Sequence, residues 1–433
     1  MIVSKGRAPT SGETLTQIVR APELRDRVLI TLGLLLFVRL GAYVWIPGLD
    51  VVRLQAGFTG GQLAGLLSIF TGGSPGGLFT LGILPFINAS IIMQLLTAAL
   101  PSLETLQKDE GEAGRRKLAQ ITRYVSLGWA ILQGVGFSVY LRGFSNGTIE
   151  GGLFIASTAL ALVTGSMVVM WISEVITERG IGQGASLVIF LNIAAALPNT
   201  LNSTIQLAQR GKLVGIVVTL LVSLLMVVAI VAVQEGSRRI PIVSAKRQVG
   251  RPGLLADRQT YLPLKLIAGG VMPIIFASSV MFLPQFLAQS TGNPALATAA
   301  GYLSPGSSLP WVYGAAFFLL IFGFSFFYTS IMVNPVELAT NLRRQGVAVP
   351  GVRPGSSTAA YLSALINRLT VLGGAFLGLI AIIPNIISGL TGIPVLQGLG
   401  STSLLILVGV AIDTAKQVQA RVISQRYEGM VRQ

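Results

Sequence analysis

A chain of 433 residues with no histidine and no cysteine lacks much of the usual catalytic repertoire. Zinc and haem ligation, thiol nucleophiles and histidine-based triads all need one of those two residue types. The nucleotide loop G-x-x-x-x-G-K-[ST] does not occur. Gly180-Ile181-Gly182-Gln183-Gly184 has the glycine density of a phosphate cradle. It opens an apolar stretch and follows no strand, so a glycine cluster at a helix start is the better reading. Ionisable groups buried in apolar spans mark ion or proton coupling. Only Arg39, Glu174 and Asp413 come near such a position, the first toward an outer end and the other two near cytoplasmic ends. The residue types that remain suit a passive pore or a carrier better than a reaction. No enzyme activity and no cofactor or metal is expected.

The elements that would frame such a passage are apolar helices. Charged residues make up 11% of the chain, against about 25% in a soluble domain. That composition predicts an all-α polytopic membrane protein with little extramembrane mass. Ten spans are predicted at 28–46, 78–100, 120–140, 153–174, 184–200, 213–233, 264–288, 309–333, 367–388 and 402–420. With the N-terminus inside, 26 Lys and Arg residues fall in inside segments and 4 in outside ones; Arg39, within the first span, completes the 31. That asymmetry orients the chain with both termini cytoplasmic. No small-residue cleavage site follows the first span, so it reads as a retained anchor.

The stretch Leu54–Leu103 carries no charge, yet it does not read as plain spans. Within roughly 59–71, Leu63, Leu66, Leu67 and Phe70 recur at helical spacing. Such a piece is about 20 Å long, too short for a hydrocarbon core of about 30 Å. Gly72-Gly73-Ser74-Pro75-Gly76-Gly77 then breaks any helix. Irregular backbone at membrane depth must be buried in protein or line a cavity, so a cavity is implied.

Five spans precede the segment 198–212 and five follow it. An odd number per half gives the halves opposite orientations, the topology of an inverted repeat. The expected organisation is a cytoplasmic segment 1–27, a first half 28–200, an external hinge 201–212, a second half 213–420 and a tail 421–433. Two cytoplasmic loops, 234–265 and 334–368, are basic. The Ile240-Pro241-Ile242-Val243 run in the first suggests a short hairpin. These charges serve either docking or simple anchoring against anionic lipid. Broken helices and inverted halves also fit an ion-coupled secondary transporter with a broken second helix. An intramembrane enzyme is a third, weaker alternative.

Gly82-Ile83-Leu84-Pro85-Phe86-Ile87-Asn88-Ala89-Ser90-Ile91-Ile92 resembles the second-span signature of the SecY family, the channel subunits of the Sec protein-translocation machinery. Glu174-Val175-Ile176-Thr177-Glu178-Arg179-Gly180-Ile181-Gly182 resembles the signature before its fifth span. The runs Arg238-Arg239-Ile240-Pro241 and Ala245-Lys246-Arg247-Gln248, and the turn Pro350-Gly351-Val352-Arg353-Pro354-Gly355, are similar to the family as well. Gln183 stands where the family commonly has Asn.

The resemblance implies a clam of two inverted five-helix halves around an hourglass pore in the bacterial plasma membrane, passing unfolded polypeptides. The helix at 59–71 would be a plug, with Leu63, Leu66, Leu67 and Phe70 on its apolar face. A ring of Ile83, Ile87, Ile189, Ile193, Ile275 and Ile406 would close the waist. Ile83/Ile87 and Ile189/Ile193 are i, i+4 pairs that point one way from their helices, and branched aliphatic side chains gate by dewetting. Taken singly, each isoleucine fits packing or lipid contact equally well. Asn88, Ser90, Gln94, Ser278 and Ser279 would lie at a lateral gate between spans 2–3 and 7–8, where a signal sequence is released to lipid. Hydroxyls in helices equally often bond back to their own backbone. Arg238, Arg239, Lys246, Arg247, Arg251, Arg343, Arg344 and Arg353 would dock a SecA motor ATPase or a ribosome. SecE-like and SecG-like small subunits are the other implied partners.

Overall fold

The structure, a computed structural model, describes residues 22–58, 76–108, 111–209, 213–244, 260–291, 294–304, 309–391 and 401–431. The plug helix expected at 59–71 lies outside the described residues. In chain order the helices are α1 (Pro22–Gly41), α2 (Val51–Phe58), α3 (Leu84–Ala99), α4 (Pro101–Lys108), α5 (Gly111–Leu141), α6 (Gly151–Arg179), α7 (Gly184–Gln209) and α8 (Leu213–Glu235). Strands β1 (Ser237–Ser244) and β2 (Thr260–Lys265) follow, then α9 (Met272–Thr291), α10 (Pro294–Tyr302), α11 (Pro310–Met332) and α12 (Pro335–Arg344). Strand β3 (Val347–Ala348), α13 (Ser356–Thr391) and α14 (Ser401–Val431) complete the described chain. The fold is mostly helical. Among the described residues six helices are long and apolar enough to cross a membrane, and Leu84–Ala99, Gly184–Pro198 and Met272–Gln285 are shorter apolar ones.

The second expected span starts six residues late, at Leu84 rather than 78. The reason is local. Gly82 adopts φ +50°, a left-handed turn, and Pro85 sits in the first turn of α3, which presets its start. The preceding turn nests against α6. A Cβ on Gly165 would stand 2.1 Å from the Leu78 carbonyl oxygen, and Ser166 Oγ donates to the Gly82 carbonyl at 2.9 Å. The same turn pairs with the end of the first span: Ile46 N–H donates to the Gly76 carbonyl at 3.0 Å and Leu78 N–H to the Val44 carbonyl at 2.7 Å.

The expected external loop is also shorter than its sequence suggested. Helix α7 runs through Pro198 to Gln209. An internal proline removes one backbone bond and kinks the helix, but a 26-residue helix retains the rest.

Packing sorts the long helices into two bundles. In the first, α3, α5, α6, α7 and α1 pack in succession; in the second, α8, α14, α13, α11 and α9 do. The bundles meet along two seams, α9 against α3 and α5, and α7 against α8 and α14. The largest apolar core bridges them, drawing on α3, α6, α7, α9, α11, α13 and α14.

The basic loops form a small domain of their own. β1 pairs antiparallel with β2, Ile240 opposite Leu262, and with β3, Val243 opposite Ala348, giving the order β2-β1-β3. The expected hairpin is thus one half of a sheet that draws its third strand from the other loop. Ile240, Ala339, Leu342, Val349, Leu362 and Ile366 form the core beneath it. Helix α12 is capped by Asn334, whose Oδ1 accepts from Val336 N–H at 3.1 Å and Glu337 N–H at 3.3 Å.

Close backbone approach dictates glycine at several joints. A Cβ on Gly184 would lie 1.8 Å from the Ser173 carbonyl oxygen, whereas one on Gly33 meets nothing within 4 Å. Gly184→Ala is therefore expected to destabilise the protein by about 1–3 kcal/mol through overpacking, and Gly33→Ala to be neutral. Thermal unfolding in detergent measures both; equal melting temperatures would contradict the packing.

Candidate functional site

Four helices deliver the six isoleucines singled out from sequence. Ile83 caps α3 and Ile87 lies one turn on; Ile189 and Ile193 come from α7, Ile275 from α9 and Ile406 from α14. All six are buried, from 0% to 6% exposed, and belong to one apolar cluster. The exposure matters because lipid-facing isoleucines would be open: Leu220 and Leu224 of α8 are 58% and 67% exposed. The ring residues come from both bundles, so their meeting is a product of tertiary folding. Ile91, Val188, Val271, Leu405 and Val410 join the same cluster, and the spacing argument had not singled them out.

A cavity of about 310 Å³ with both polar and apolar walls adjoins this cluster. Gln183, Ser186, Gln234, Lys265, Asp413 and Lys416 line it. Val271 and Val410 belong both to its wall and to the neck cluster. Lys416 Nζ lies 2.8 Å from Glu235 Oε1 at the edge, joining α14 to α8. The cavity thus touches the apolar cluster through Val271 and Val410.

The five polar residues expected at the lateral gate divide. Ser278 and Ser279 of α9 both donate to the Ile275 carbonyl, each at 2.9 Å, within their own helix. Asn88 is 4% exposed and its Nδ2 has no hydrogen-bond partner. Ser90 and Gln94 line a second cavity of about 270 Å³ with Leu118 and Thr122 of α5 and Glu174 of α6. They therefore face the first bundle's own interior. The seam between α9 and α3 does carry Asn88's neighbours Ile87 and Ile91 in the shared apolar cluster with Ile275.

Five expected docking residues are exposed on the small domain: Arg238 and Arg239 on β1, Arg343 and Arg344 in the last turn of α12, and Arg353 in the turn before α13. Arg239 lies over the Tyr261 ring at 4.9 Å. The Arg353 carbonyl accepts from Thr358 Oγ1 at 2.9 Å, which fixes the turn. Lys246, Arg247 and Arg251 lie outside the described residues.

Arg39 and Glu174, the other charges near the spans, each have a partner. Arg39 Nη2 donates to the Tyr43 hydroxyl at 2.8 Å. Glu174 pairs with Arg123 of α5 at 2.9 Å. Sequence placed Glu174 near a helix end, but its partner is 51 residues away and no spacing rule names it.

Three comparisons place the chain among known proteins. The family model described as SecY matches residues 77–415. The protein translocase subunit SecY of Synechococcus elongatus is 57% identical over 441 residues, covering all of both chains. That of Synechocystis is 53% identical, again over all of both chains, and that of Aquifex aeolicus 41% identical over 97% of this chain and 99% of its own. Among solved structures, one described as a protein conducting channel aligns with a TM-score of 0.66 at 20% identity over 92% of each chain. Another, concerned with the plug domain of SecY and the closed state of the translocation channel, gives 0.69 at 21% identity over 92% of each. These likenesses establish the fold.

Asn88 supplies a direct test of the seam. A buried donor without a partner costs about 1–3 kcal/mol. Asn88→Leu is expected to raise the melting temperature of the idle protein. A lowered one would mean that the amide has a partner in the membrane.

Proposed function

This chain belongs to the SecY family, and from that membership we propose how its parts pass a polypeptide across a membrane. It is the channel subunit of a protein translocase. The observation that carries the reading is the buried neck. Six isoleucines from both bundles meet in one apolar cluster beside a cavity that Gln183, Lys265 and Asp413 help to line. Aliphatic side chains form no hydrogen bonds with cargo, so they close around any sequence and seal by dewetting when none is present. The ion-coupled carrier considered from sequence finds no support in the family.

Ten spans follow on this reading: α1, α3, α5, α6, α7, α8, α9, α11, α13 and α14, in two halves of opposite insertion. Both termini then face the cytoplasm, as the 26 inside and 4 outside Lys and Arg residues require. Residues 59–71 act as the plug, and Leu63, Leu66, Leu67 and Phe70 seat it. The chain entering α3 is tied to the end of the first span by the bonds of Gly76 and Leu78. The lateral gate is the seam of α9 against α3 and α5. Asn88 is its polar member, and Ser278 and Ser279 act there only through their own helix.

The small basic domain is the docking face for an external motor or for a ribosome. Two of the structural relatives are channels solved in complexes with ribosomes. A ribosome presents anionic RNA, and a cluster of exposed arginines complements it. Small membrane subunits resembling SecE and SecG, a SecA motor, signal-bearing unfolded chains and anionic lipid are the other partners of this reading. The channel itself supplies no energy source and needs no cofactor.

Two experiments test the proposal. Replacing Ile83, Ile189 and Ile275 together by glycine should raise the ion conductance of the idle channel in planar bilayers by at least about tenfold, because the dry neck becomes wettable. An unchanged conductance would count against the ring. Arg353→Glu should reduce motor-driven export while the protein still inserts and folds. Export at the wild-type rate in proteoliposomes would remove Arg353 from the docking face.

A further inference from the structure

Helices α3 and α6 both pack on α5. They meet each other at the start of α3, where Ser166 Oγ donates to the Gly82 carbonyl at 2.9 Å and the Leu78 carbonyl lies against Gly165. Toward the other ends of the two helices, a cavity of about 270 Å³ lies between them and α5. Its walls divide by chemistry. Phe86 and Met93 of α3 and Leu118 of α5 supply apolar surface. Gln94 and Thr97 of α3, Thr122 of α5 and Glu174 of α6 supply oxygen.

Those oxygens accept rather than donate. Thr97 Oγ1 donates to the Met93 carbonyl, and Thr122 Oγ1 to the Leu118 carbonyl at 2.8 Å. Each hydroxyl proton is therefore committed to its own helix, and lone pairs remain. Gln94 Oε1 is buried without a hydrogen-bond partner, a cost that an entering donor relieves. No lysine or arginine lines the cavity among the described residues. Arg123 meets Glu174 at 2.9 Å, and the arginine side chain is 47% exposed. Glu178 acts on Arg123 as well, so two carboxylates face one guanidinium there.

A ligand that matches these walls carries several donors, a positive charge and an apolar stem. A lysine side chain has all three, an ammonium with N–H donors and no acceptor on a flexible aliphatic stem. The ethanolamine headgroup of a phospholipid matches less well, because its stem is short and its phosphate would approach Glu174 with no cation on the wall. On the topology proposed above, these ends of α3 and α6 face the cytoplasm. A signal-bearing chain arrives from that side with a positively charged segment ahead of its apolar run. Phe86 lines the cavity and also packs against the isoleucine cluster, so a lysine held here lies beside the proposed neck.

We propose that the cavity between α3, α5 and α6 is a binding site for a lysine side chain of signal-bearing cargo. Gln94 and Glu174 receive the ammonium, and Phe86, Met93 and Leu118 cover the stem. This inference rests on the channel reading above.

The test is peptide binding to the full-length idle protein in uncharged detergent. The probe is a fluorescent signal peptide with two lysines ahead of its apolar run, compared with the same peptide carrying glutamine at both positions. Wild type should bind the lysine form at least about tenfold more tightly, the worth of a hydrogen-bonded charge. Gln94→Met and Glu174→Gln should each cut that preference to about threefold or less. Equal binding of the two peptides by wild type, or a full preference kept in both variants, would overturn the site. Gln94→Met should melt no lower than wild type, since it removes a buried unpartnered oxygen; if it does not fold, Glu174→Gln decides. Glycerophosphoethanolamine, the soluble headgroup of the lipid alternative, should leave the lysine peptide bound. Displacement at a concentration equal to that of the peptide would give the cavity to lipid and overturn the assignment. Failure of wild-type protein to transport any polypeptide in proteoliposomes would instead remove the channel reading beneath it.

Discussion

A seal that must open cannot be held by strong directional bonds where it opens. That constraint organises this structure. Burying a hydrogen-bonded network across a moving seam would make each opening cost the desolvation of every partner. Apolar contact has no preferred direction and recovers whatever surface closes over it. The proposed neck fits this: Ile83, Ile87, Ile189, Ile193, Ile275 and Ile406 are buried in one cluster without a charge among them. Directional bonds lie elsewhere, within helices, as at Ser278 and Ser279, or where Arg421 of α14 donates to the Gly180 carbonyl.

Irregular backbone supplies the second theme. The turn before α3 and the turn before α7 both bring chain segments closer than a side chain would allow. Gly165 lies against the Leu78 carbonyl, Gly184 against the Ser173 carbonyl, and Gly180 against Thr31 and Ile176. Freed backbone groups there find partners, such as Ser166 for the Gly82 carbonyl and Thr177 Oγ1 for Gly184 N–H. Membrane proteins tolerate broken helices only on those terms. The break before α3 also sets Ile83 at the very start of the helix, which puts it at the neck.

The two basic loops show a division of labour. Their apolar residues build a sheet and core that need no membrane, with Ile240, Leu342 and Leu362 inside. Their arginines stay outside, where positive charge attracts anionic partners over a Debye length of about 8–10 Å. Rigid backing distinguishes this surface from a floppy basic tail: the Arg353 turn is pinned by Thr358, and α12 is capped by Asn334.

The sequence by itself determined the class, the apolar helices and the charge asymmetry. Those depend on neighbours along the chain: runs of apolar residues, glycine and proline punctuation, and which segments carry lysine and arginine. The late start of α3 was written locally too, in Gly82 and Pro85, but the apolar run masked it. Helix α7 continuing past Pro198 shows the reverse, a local breaker outvoted by the helix around it. Only the tertiary structure decided which isoleucines meet. It decided that Ser90 and Gln94 face α5 and α6 rather than α9, and that two loops share one sheet. It alone paired Arg123 with Glu174 and Arg421 with Gly180. Side-chain type states what a residue can bond to, but contact between positions up to 241 residues apart depends on how every intervening helix packs.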